Sequence, residues 1–360
     1  MSPERLEHLL TVVGPLLAKK KCRSRETISP SERLVITLRY LATGDSQQSH
    51  AFNFRVGKAT VCHIIRDTCK ALWIALNNRY LNAPETKEDW KKVARGFEKE
   101  WNYPNCIGAL DGKHVAMECP KNQGSSFYNY KGFHSIVLMA VCDANYCFSL
   151  VDIGGYGGDN DASIFGGSEI GISFREGEMD IPEPEIIDNF SLPYVLVSDE
   201  IFKLEPWLMK PFPGKGLDQE KMIFNYRLSR CRRTIENAFG ILAARWRILR
   251  RPIRANVSTV ENITKACVCL HNYLKQTDNA FYVPSGFIDA EDNSGNVIPG
   301  NWRSFVDQDQ SALKPIPRTG SNNYKNNAKL VRETFKDYFN SKSGSVPWQL
   351  GHVTSCGQKL

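Results

Sequence analysis

The sequence contains no apolar run of 18 residues and no N-terminal secretory signal, so we expect neither a membrane span nor export. Its 11 cysteines lack the paired spacing of a zinc finger, and an odd number cannot form a complete disulfide framework. These absences predict a reducing compartment, either the cytosol or the nucleus. With 360 residues, 42% apolar and 24% charged, the chain can form two or three globular domains.

Acidic residues are nearly missing from one stretch of the chain. Between Lys221 and Arg254 there are ten Lys or Arg residues and a single acid, Glu236. Arg232 and Arg233 precede this acid by four and three positions, where on a helix they would favour its ionised form and hold a phosphate nearby. The alternative is a solvated basic helix whose one Glu makes weak surface pairs.

The apolar positions of this stretch recur at helical spacing and predict a helix over 226–249, with Glu236 one step off the apolar stripe. Trp246 fits either that stripe or a stacking surface for nucleic acid, and core burial is the favoured interpretation. The candidate DNA-binding residues of this stretch are Arg227, Arg230, Arg232, Arg233, Arg245 and Arg247.

Two more acids lie where strands are predicted. Asp111 falls near the start of an alternating segment, and Asp199 follows the short apolar run 194–197, at the kind of strand end where open α/β sheets bind ligands. Together with Glu236 these acids could converge on one site for Mg²⁺, or Mn²⁺ as a substitute, since both ions prefer carboxylate oxygens. Two such ions about 3.5 to 4 Å apart would serve phosphodiester transfer.

The net charge of +7 is concentrated in residues 1–100, which carry 18 Lys and Arg against 11 acids. A basic part beside a neutral one suggests separate DNA-docking and chemical tasks, although excess charge also serves solubility. A basic cluster near the N-terminus fits a nuclear import signal, a weakly specific pattern. It consists of Lys19, Lys20, Lys21, Arg23 and Arg25.

The pattern that follows predicts a helix-turn-helix layout. A helix capped at Ser31 ends at Gly44, a short helix follows at 46–54, and a longer helix begins at Lys58 after a turn. The side chains of the last helix that would enter a major groove are Lys58, Thr60, His63 and Arg66. An ordinary three-helix bundle explains the same pattern equally well.

A third set of side chains is Cys267, Cys269 and His271, which could be interpreted as a zinc cluster. The segment around them is apolar and helical in pattern, and in such a setting cysteine behaves as a small hydrophobic residue. We therefore expect these residues in the core.

The order of predicted elements indicates an α/β fold with a ribonuclease H-like catalytic domain, a mixed sheet flanked by helices, behind an N-terminal all-helical domain. The elements are strands at 107–118, 134–143 and 146–153, a helix at 161–170, a strand at 194–198 and the helix at 226–249. The predicted units are a helix-turn-helix-like DNA-binding domain at 1–84, a bridging helix at 85–104, the catalytic domain at 105–280, and a C-terminal linker with a terminal helix at 281–360.

Several long segments in order resemble the PIF/Harbinger transposases and the nucleases derived from them. They include WNYPNCIGALDGKHVAMECP, NYKGFHSIVLMAVCDANYCFSLVDIG, YVLVSDEIFKLEPWLMKPFPG and IFNYRLSRCRRTIENAFGILAARWRILRRPI, and the resemblance runs from about 31 to 275. It implies a DDE-type endonuclease whose three acids map onto Asp111, Asp199 and Glu236. Asp161 also matches a recurrent acid of the family and is interpreted as a helix cap.

The same resemblance implies that Asp111 contacts two divalent ions and that Asp199 and Glu236 hold one each. It implies hydrolytic nicking of double-stranded DNA at terminal inverted repeats, transfer of the freed 3′-hydroxyl to target DNA, a homo-oligomer, and a nuclear location. A Myb-like accessory protein, bound through residues 1–100, is a further expectation. The alternative is a domesticated, non-catalytic DNA-binding or chromatin-associated protein that retains the fold.

Overall fold

The computed structural model describes residues 1–20, 26–120, 125–158, 165–306, 311–315 and 324–357. Its N-terminal part is helical. The five helices are α1 (Pro3–Leu17), α2 (Pro30–Thr43), α3 (Gln47–Phe54), α4 (Lys58–Tyr80) and α5 (Lys87–Trp101). The first four correspond to a bundle, and α5 leads into the sheet.

Helix α2 shows how local sequence sets its ends. Ser29, not Ser31, is the N-cap: Pro30 occupies the first helical turn, and Glu32 completes a reciprocal capping box with Ser29. The predicted cap was wrong by two residues. The capping box requires the glutamate three positions after the cap, and Glu32 stands three positions after Ser29. Gly44 ends the helix at φ 69°, a left-handed conformation that glycine adopts without strain, as predicted.

A mixed sheet follows the helical part. Its strands are β1 (Cys106–Met117), β2 (His134–Cys142), β3 (Phe148–Tyr156), β6 (Val195–Val197), β7 (Leu208–Met209) and β10 (Leu313–Pro315). Two small hairpins stand apart, β4–β5 (Glu185–Ile187 and Phe190–Leu192) and β8–β9 (Ala290–Glu291 and Val297–Ile298). The order β3-β2-β1-β6-β7, antiparallel over the first three strands and parallel from β1 to β7, fits the expected ribonuclease H-like sheet.

The remaining helices flank this sheet. They are α6 (Glu169–Glu176), α7 (Gln219–Arg245), a 3-10 helix (Arg247–Arg250), α8 (Val257–Thr277), α9 (Asn279–Tyr282), α10 (Trp302–Phe305), α11 (Asn326–Asn340) and α12 (Gln349–Gly357). Among the described residues, no helix combines the length and the apolar character that crossing a bilayer requires.

Helix α7 is largely buried because it packs on the sheet with one face and against C-terminal elements with the others.

The N-terminal helices share their core with the sheet domain. Buried residues of α1, α2 and α4 belong to the same apolar cluster as those of α8, and Tyr273 of α8 donates to the carbonyl of Arg5 at 2.8 Å. The short helix, turn and long helix of the expected layout are present as α3, residues 55–57 and α4. Their use as a DNA-reading unit stays a prediction.

The region predicted as a linker is instead part of the fold. Strand β10 pairs antiparallel with β1, Trp302 is buried against Gly240 of α7, and Asp289 is buried with its carboxylate bound to Arg303. The abundance of Asn, Gly, Pro and Ser misled the prediction, because here these residues make hairpins and tight turns rather than a solvated chain. Part of the predicted segment, 307–310 and 316–323, lies outside the described residues.

Candidate active site

Asp111 lies in the middle of β1, at a gap between two neighbouring strands. On one edge of β1, β6 pairs with Cys106–Ala109 and β10 pairs with Lys113–Val115, so Asp111 falls between them. The carboxylate is nearly buried, with its Oδ1 accepting from the amide of Gly112 at 2.9 Å and its Oδ2 from Lys113 Nζ at 2.7 Å. The catalytic candidate on β1 is therefore held at a fixed point of the sheet.

Asp199 follows the end of β6, the strand parallel to β1, as predicted. Its Oδ1 accepts a hydrogen bond from the amide of Ile201 at 3.0 Å, which fixes the turn. Burial, followed by the negative charge of Asp111, raises the pKa of Asp199 to about 6, although Arg232 acts in the opposite direction. The two aspartates are thus close enough to repel each other.

Glu236 projects from α7, and the packing of that helix determines where it points. Cys231 lies 3.4 Å from Cys106 of β1 and Thr234 lies 3.4 Å from Cys142 of β2, sulfur to sulfur and oxygen to sulfur. These contacts turn one face of α7 to the sheet. Glu236, two positions beyond Thr234, is left half-exposed beside the sheet, paired with Arg232 one turn earlier.

All three carboxylates line one cavity of about 330 Å³. Lys113 and Arg232 line it as well, together with Phe239 of α7 and the C-terminal residues Trp302, Arg303, Val306, Ser311, Leu313 and Pro315. Burial lowers the pKa of Arg232, but the charges of Glu236, Asp111 and Asp199 outweigh this effect and raise it. The guanidinium group therefore interacts electrostatically with all three acids. The structure therefore brings the three predicted catalytic residues to a common space.

The donor set fits a divalent cation in its chemistry. Three carboxylates provide the oxygen ligands that Mg²⁺ and Mn²⁺ prefer, and burial followed by the charge of Asp111 raises the pKa of Asp199. Within the described residues, however, no three acidic, His or Cys side chains are gathered tightly enough to hold one metal ion. Lys113 and Arg232 instead provide the positive charge, and Arg232 would have to leave Glu236 for a cation to bind there.

Arg232 carries a further sign of an incomplete environment. Its Nε is buried and has no hydrogen-bond partner among the described residues. A buried donor without a partner costs free energy that a bound acceptor would recover. The cavity thus combines acids with a guanidinium group that has capacity for an additional oxygen ligand.

Three arginines of α7 that were predicted to bind DNA are instead structural. Arg227 donates to the carbonyl of Gly344 at 2.8 Å and to Gln349 Oε1 at 2.9 Å, while Arg230 and Arg233 both bind the carboxylate of Glu291 at 2.7 Å. The side chains of all three are more than nine-tenths buried. They were expected on a solvated face because the sequence does not show what packs around α7.

The remaining candidates are divided. Arg245 is half-buried, donates to the carbonyl of Tyr282 at 2.7 Å and stacks over Phe287, so it too is held by protein groups. Trp246 is buried in the core, the interpretation that the sequence favoured over a stacking surface. The candidates that remain on the surface are Arg247 together with Lys58, Thr60, His63 and Arg66 of α4.

The remaining sequence candidates are the Cys and His side chains considered for zinc, Asp161 and the N-terminal basic cluster. Cys267 and Cys269 are fully buried in α8, and His271 accepts or donates within hydrogen bonds to the hydroxyl of Tyr282 and the carbonyl of Tyr146. This is a packed core, as expected. Asp161, and Lys21, Arg23 and Arg25 of the basic cluster, lie outside the described residues.

Sequence reasoning missed two cavity residues. Lys113 stands two positions after Asp111 on the same strand, so strand periodicity already placed both side chains on one face. Arg303 raises the positive charge near Glu236 but comes from the segment interpreted as a linker. No local pattern marks it, because it reaches the cavity through tertiary packing.

Comparisons with known proteins give matches over the part of the chain that holds these acids. A family profile described as DDE superfamily endonuclease matches residues 110–272, the range that holds the three acids. The HARBI1 protein of Rattus norvegicus, named as a candidate nuclease, is 24% identical over 268 residues, which is 74% of this chain and 72% of the relative. The Xenopus laevis protein of the same name is 22% identical over 286 residues, 78% of each chain.

A plant relative carries a different kind of name. The Arabidopsis thaliana protein called antagonist of like heterochromatin protein 1 is 26% identical over 250 residues, 69% of this chain and 63% of the relative. No solved structure matches the chain. Residues 110–272, which contain Asp111, Asp199 and Glu236, thus match a DDE superfamily endonuclease domain, and the chain is similar over most of its length to the HARBI1 proteins and to the plant protein.

Proposed function

We propose that this protein is a metal-dependent endonuclease that cuts DNA phosphodiesters with Asp111, Asp199 and Glu236. The observation that carries the proposal is the convergence of these acids, from β1, the end of β6 and α7, on a single cavity. The three acids are far apart in the sequence, so only folding of the chain brings them to one cavity. Burial and then the charge of Asp111 raise the pKa of Asp199, and a perturbed carboxylate in a cavity is typical of catalytic sites.

Asp111, Asp199 and Glu236 are the residues that would hold Mg²⁺ or Mn²⁺. When bound, the metal would supply positive charge for the attacking and leaving oxygens of an in-line displacement. The two aspartates are pre-positioned by backbone amides, of Gly112 and Ile201, before any ligand arrives. Glu236 is released to the site when Arg232 gives up its ion pair.

Lys113 and Arg232 have the complementary task of binding the phosphate. Lys113 is fixed against the ring of Phe239, 5.4 Å from its centroid, and points into the cavity beside Asp111. Arg232 has an unpaired Nε and a planar fork suited to phosphate oxygens. These two cations neutralise the acids in the free protein and are available to orient the substrate strand once the acids bind a metal.

The resemblance to the PIF/Harbinger transposases supports a more specific activity. We propose nicking at terminal inverted repeats and transfer of the 3′-hydroxyl to target DNA by a homo-oligomer in the nucleus. A Myb-like accessory protein bound through residues 1–100 is part of the same proposal. Deleting those residues and measuring pull-down of that protein tests the last point, and undiminished binding would count against it.

The test of the proposed function compares isosteric substitutions in two assays. Asp111→Asn and Glu236→Gln remove charge while preserving shape, and Glu176→Gln, an exposed acid of α6, is the matched control. In a cleavage assay on terminal-repeat DNA with Mg²⁺ or Mn²⁺, each active-site variant should lose activity at least about a hundredfold, as expected when electrostatic stabilisation is removed. The control should retain it.

The second assay is thermal unfolding with and without Mn²⁺. Mn²⁺ should raise the melting temperature of the wild type and the control but not of Asp111→Asn, because a ligand that binds the native state stabilises it. Cleavage that survives Asp111→Asn or Glu236→Gln would refute the assignment, whether or not the melting temperature moves.

A non-catalytic DNA-binding or chromatin-associated protein is the second candidate function. It is favoured by the ion pairs of Lys113 with Asp111 and of Arg232 with Glu236, which form without a metal, and by the name of the plant relative. In that case the protein would bind DNA, show no cleavage with or without a Myb-like partner, and show no Mn²⁺-dependent rise in melting temperature. The two assays therefore separate the candidates.

A further inference from the structure

A second, larger cavity of about 1260 Å³ opens between the N-terminal helices and the sheet domain. The N-terminal side contributes Gly44 to Gln48 and Lys58, and the sheet side contributes the end of β1 and the chain after α7. A smaller cavity adjoins it and shares Gly44, Asp45 and Arg251. We call the two together the cationic groove, after its basic lining residues Lys58, Lys131, Arg247, Arg250, Arg251, Arg254 and Lys314.

The charge of the cationic groove is unbalanced. Among the residues that the structure describes, seven basic side chains face two lining acids, Asp45 and Glu118, and Glu118 is an exposed partner of Arg254 at 2.7 Å. Arg250 is partly buried and donates to the carbonyls of Ala243 and Ala244, so the other six cations carry most of the exposed charge. A concave surface of one sign concentrates the opposite charge, so the groove is suited to a polyanion.

The groove is built rigidly from two parts of the chain. Gly44, at the end of α2, sits directly on the 3-10 helix: a side chain at this position would place its Cβ 2.8 Å from the carbonyl oxygen of Arg247. Glycine is thus required both by its left-handed φ and by this close approach. Lys58 and the arginines after α7 are consequently held in a fixed relation.

Segment 311–315 joins the cationic groove to the active-site cavity. Ser311 lines both, while Leu313 and Pro315 line the active-site cavity and Lys314 between them lines the groove. This alternation follows from β10 being a strand paired with β1. The two cavities therefore lie on opposite faces of this edge strand, and a polyanion that has one phosphate at Asp111 reaches the groove by passing round the strand at Ser311.

A helix end adds to the same surface. Lys58 is the first residue of α4, a 23-residue helix whose N-terminus is capped by no described side chain. The unpaired amides at such an end favour an anion. Alone they would not define a site, but here they lie at the edge of a groove that already carries excess positive charge.

We propose that the cationic groove holds the phosphate backbone of the DNA duplex that flanks the scissile phosphate. The proposal rests on the proposed function, because it takes the active-site cavity as the place of cleavage. Duplex DNA is favoured over an acidic protein segment by the continuity of the groove with that cavity. The groove thereby orients DNA through phosphates, with residues from α4 and the chain after α7 setting its direction.

The experiment measures DNA binding in EDTA, so that it does not depend on metal or cleavage. The full-length protein carrying Lys58→Ala, Arg251→Ala and Arg254→Ala is compared with wild type by fluorescence anisotropy on a labelled duplex of about 30 base pairs, across a series of salt concentrations. The control variant removes three exposed cations outside the groove. These are Lys92, Arg95 and Lys342.

The groove variant should lose affinity at least about thirtyfold at 0.1 M salt, and the slope of log K against log salt should decrease by about 2 to 3, close to 0.9 per lost phosphate contact. The control should stay within about twofold with a change in slope below about 1. Both variants replace exposed side chains, and circular dichroism confirms that they fold.

Two outcomes would overturn the proposal: an unchanged slope in the groove variant, or an acidic peptide of about 20 glutamates that binds through Arg251 and Arg254 while duplex binding ignores them. Failure here is distinguishable from failure of the proposed function. If the groove does not bind DNA, cleavage still depends on Asp111. If the protein does not cleave DNA, the groove variant can still change the salt dependence of binding.

Discussion

The ten cations between residues 221 and 254 fall into two regions with opposite environments. Along α7, Arg227, Arg230 and Arg233 are buried and bound by carbonyl, amide and carboxylate oxygens of the protein itself. After α7, Arg247, Arg251 and Arg254 are exposed and line the cationic groove. Basicity in one stretch of sequence thus serves interior packing first and ligand binding second.

The difference arises from what packs on each region. The C-terminal hairpin β8–β9 and helices α11 and α12 cover α7, and they bring Glu291 and Gln349 as partners for its arginines. The 3-10 helix packs against α2, α7 and residues 311–312, and Ile253 pairs with the end of β1, but these contacts leave Arg247, Arg251 and Arg254 exposed on the groove side. A charged residue becomes structural when a distant segment supplies its counter-charge.

Removing Glu291 should have the largest effect. Glu291→Ala leaves Arg230 and Arg233 buried without their carboxylate, and we expect a loss of about 3 to 5 kcal/mol in the free energy of unfolding. The salt dependence of DNA binding should not change. Urea denaturation and the anisotropy assay measure the two quantities, and a folded variant of full stability would contradict the structural role of the pair.

The same carboxylate predicts a pH dependence. Burial opposes its ionisation, but hydrogen bonds and charge from Arg230 and Arg233 lower the net pKa of Glu291 below 4.5. The stability from this group is therefore complete above pH 4.5 and is lost as pH falls through the lowered pKa. Glu291→Gln should be less stable at neutral pH and should lack this part of the acid-induced loss.

The neighbouring residues Arg232 and Arg233 provide a sharper contrast of intermediate size. Arg233→Ala should cost about 2 to 3 kcal/mol of stability, because it breaks a buried pair, and leave the salt slope of DNA binding unchanged. Arg232→Ala should cost about 1 kcal/mol or less but reduce the slope by about 0.9, since Arg232 lines the active-site cavity. Equal slopes for the two variants would contradict the division of the α7 arginines into a structural residue and a ligand-binding one.

The smallest effect is expected at the rim of the cationic groove. Glu118→Ala removes an exposed partner of Arg254, so stability should change by about 0.5 kcal/mol or less. Duplex affinity should rise about two- to threefold at low salt because the groove loses a negative charge. Glu98→Ala, an exposed acid of α5 outside the groove, should leave affinity unchanged. A drop in affinity for Glu118→Ala would show that its pair with Arg254 organises the groove.

The sequence was sufficient for the sheet and for the acids. Apolar runs and their breaks predicted β1, β2, β3, β6 and the greater part of α7 within a few residues, because strand and helix periods are local properties. Asp111, Asp199 and Glu236 came from their settings at strands and on the helix, and the structure places them on one cavity. Their catalytic role remains a proposal.

The errors have a common cause. Arg227 was expected on the surface and is buried, while residues 285–306 were expected to be a linker and pack on α7. Both depend on contacts between segments more than 50 residues apart, such as Arg233 with Glu291. The local sequence of a hairpin or of a basic helix is the same whether or not the two segments pack together. Only the folded chain shows that they do.

The pairing of β10 with β1 has a consequence for shortened copies of this protein. A chain that stops before Leu313 would keep all three acids and every element from β1 to α8, yet it would leave Lys113–Val115 as an uncovered strand edge beside Asp111. Such an edge offers unpaired amides and carbonyls to other molecules and promotes self-association. An intact set of acids in a truncated copy would therefore be a poor guide to whether that copy is a working, monodisperse protein.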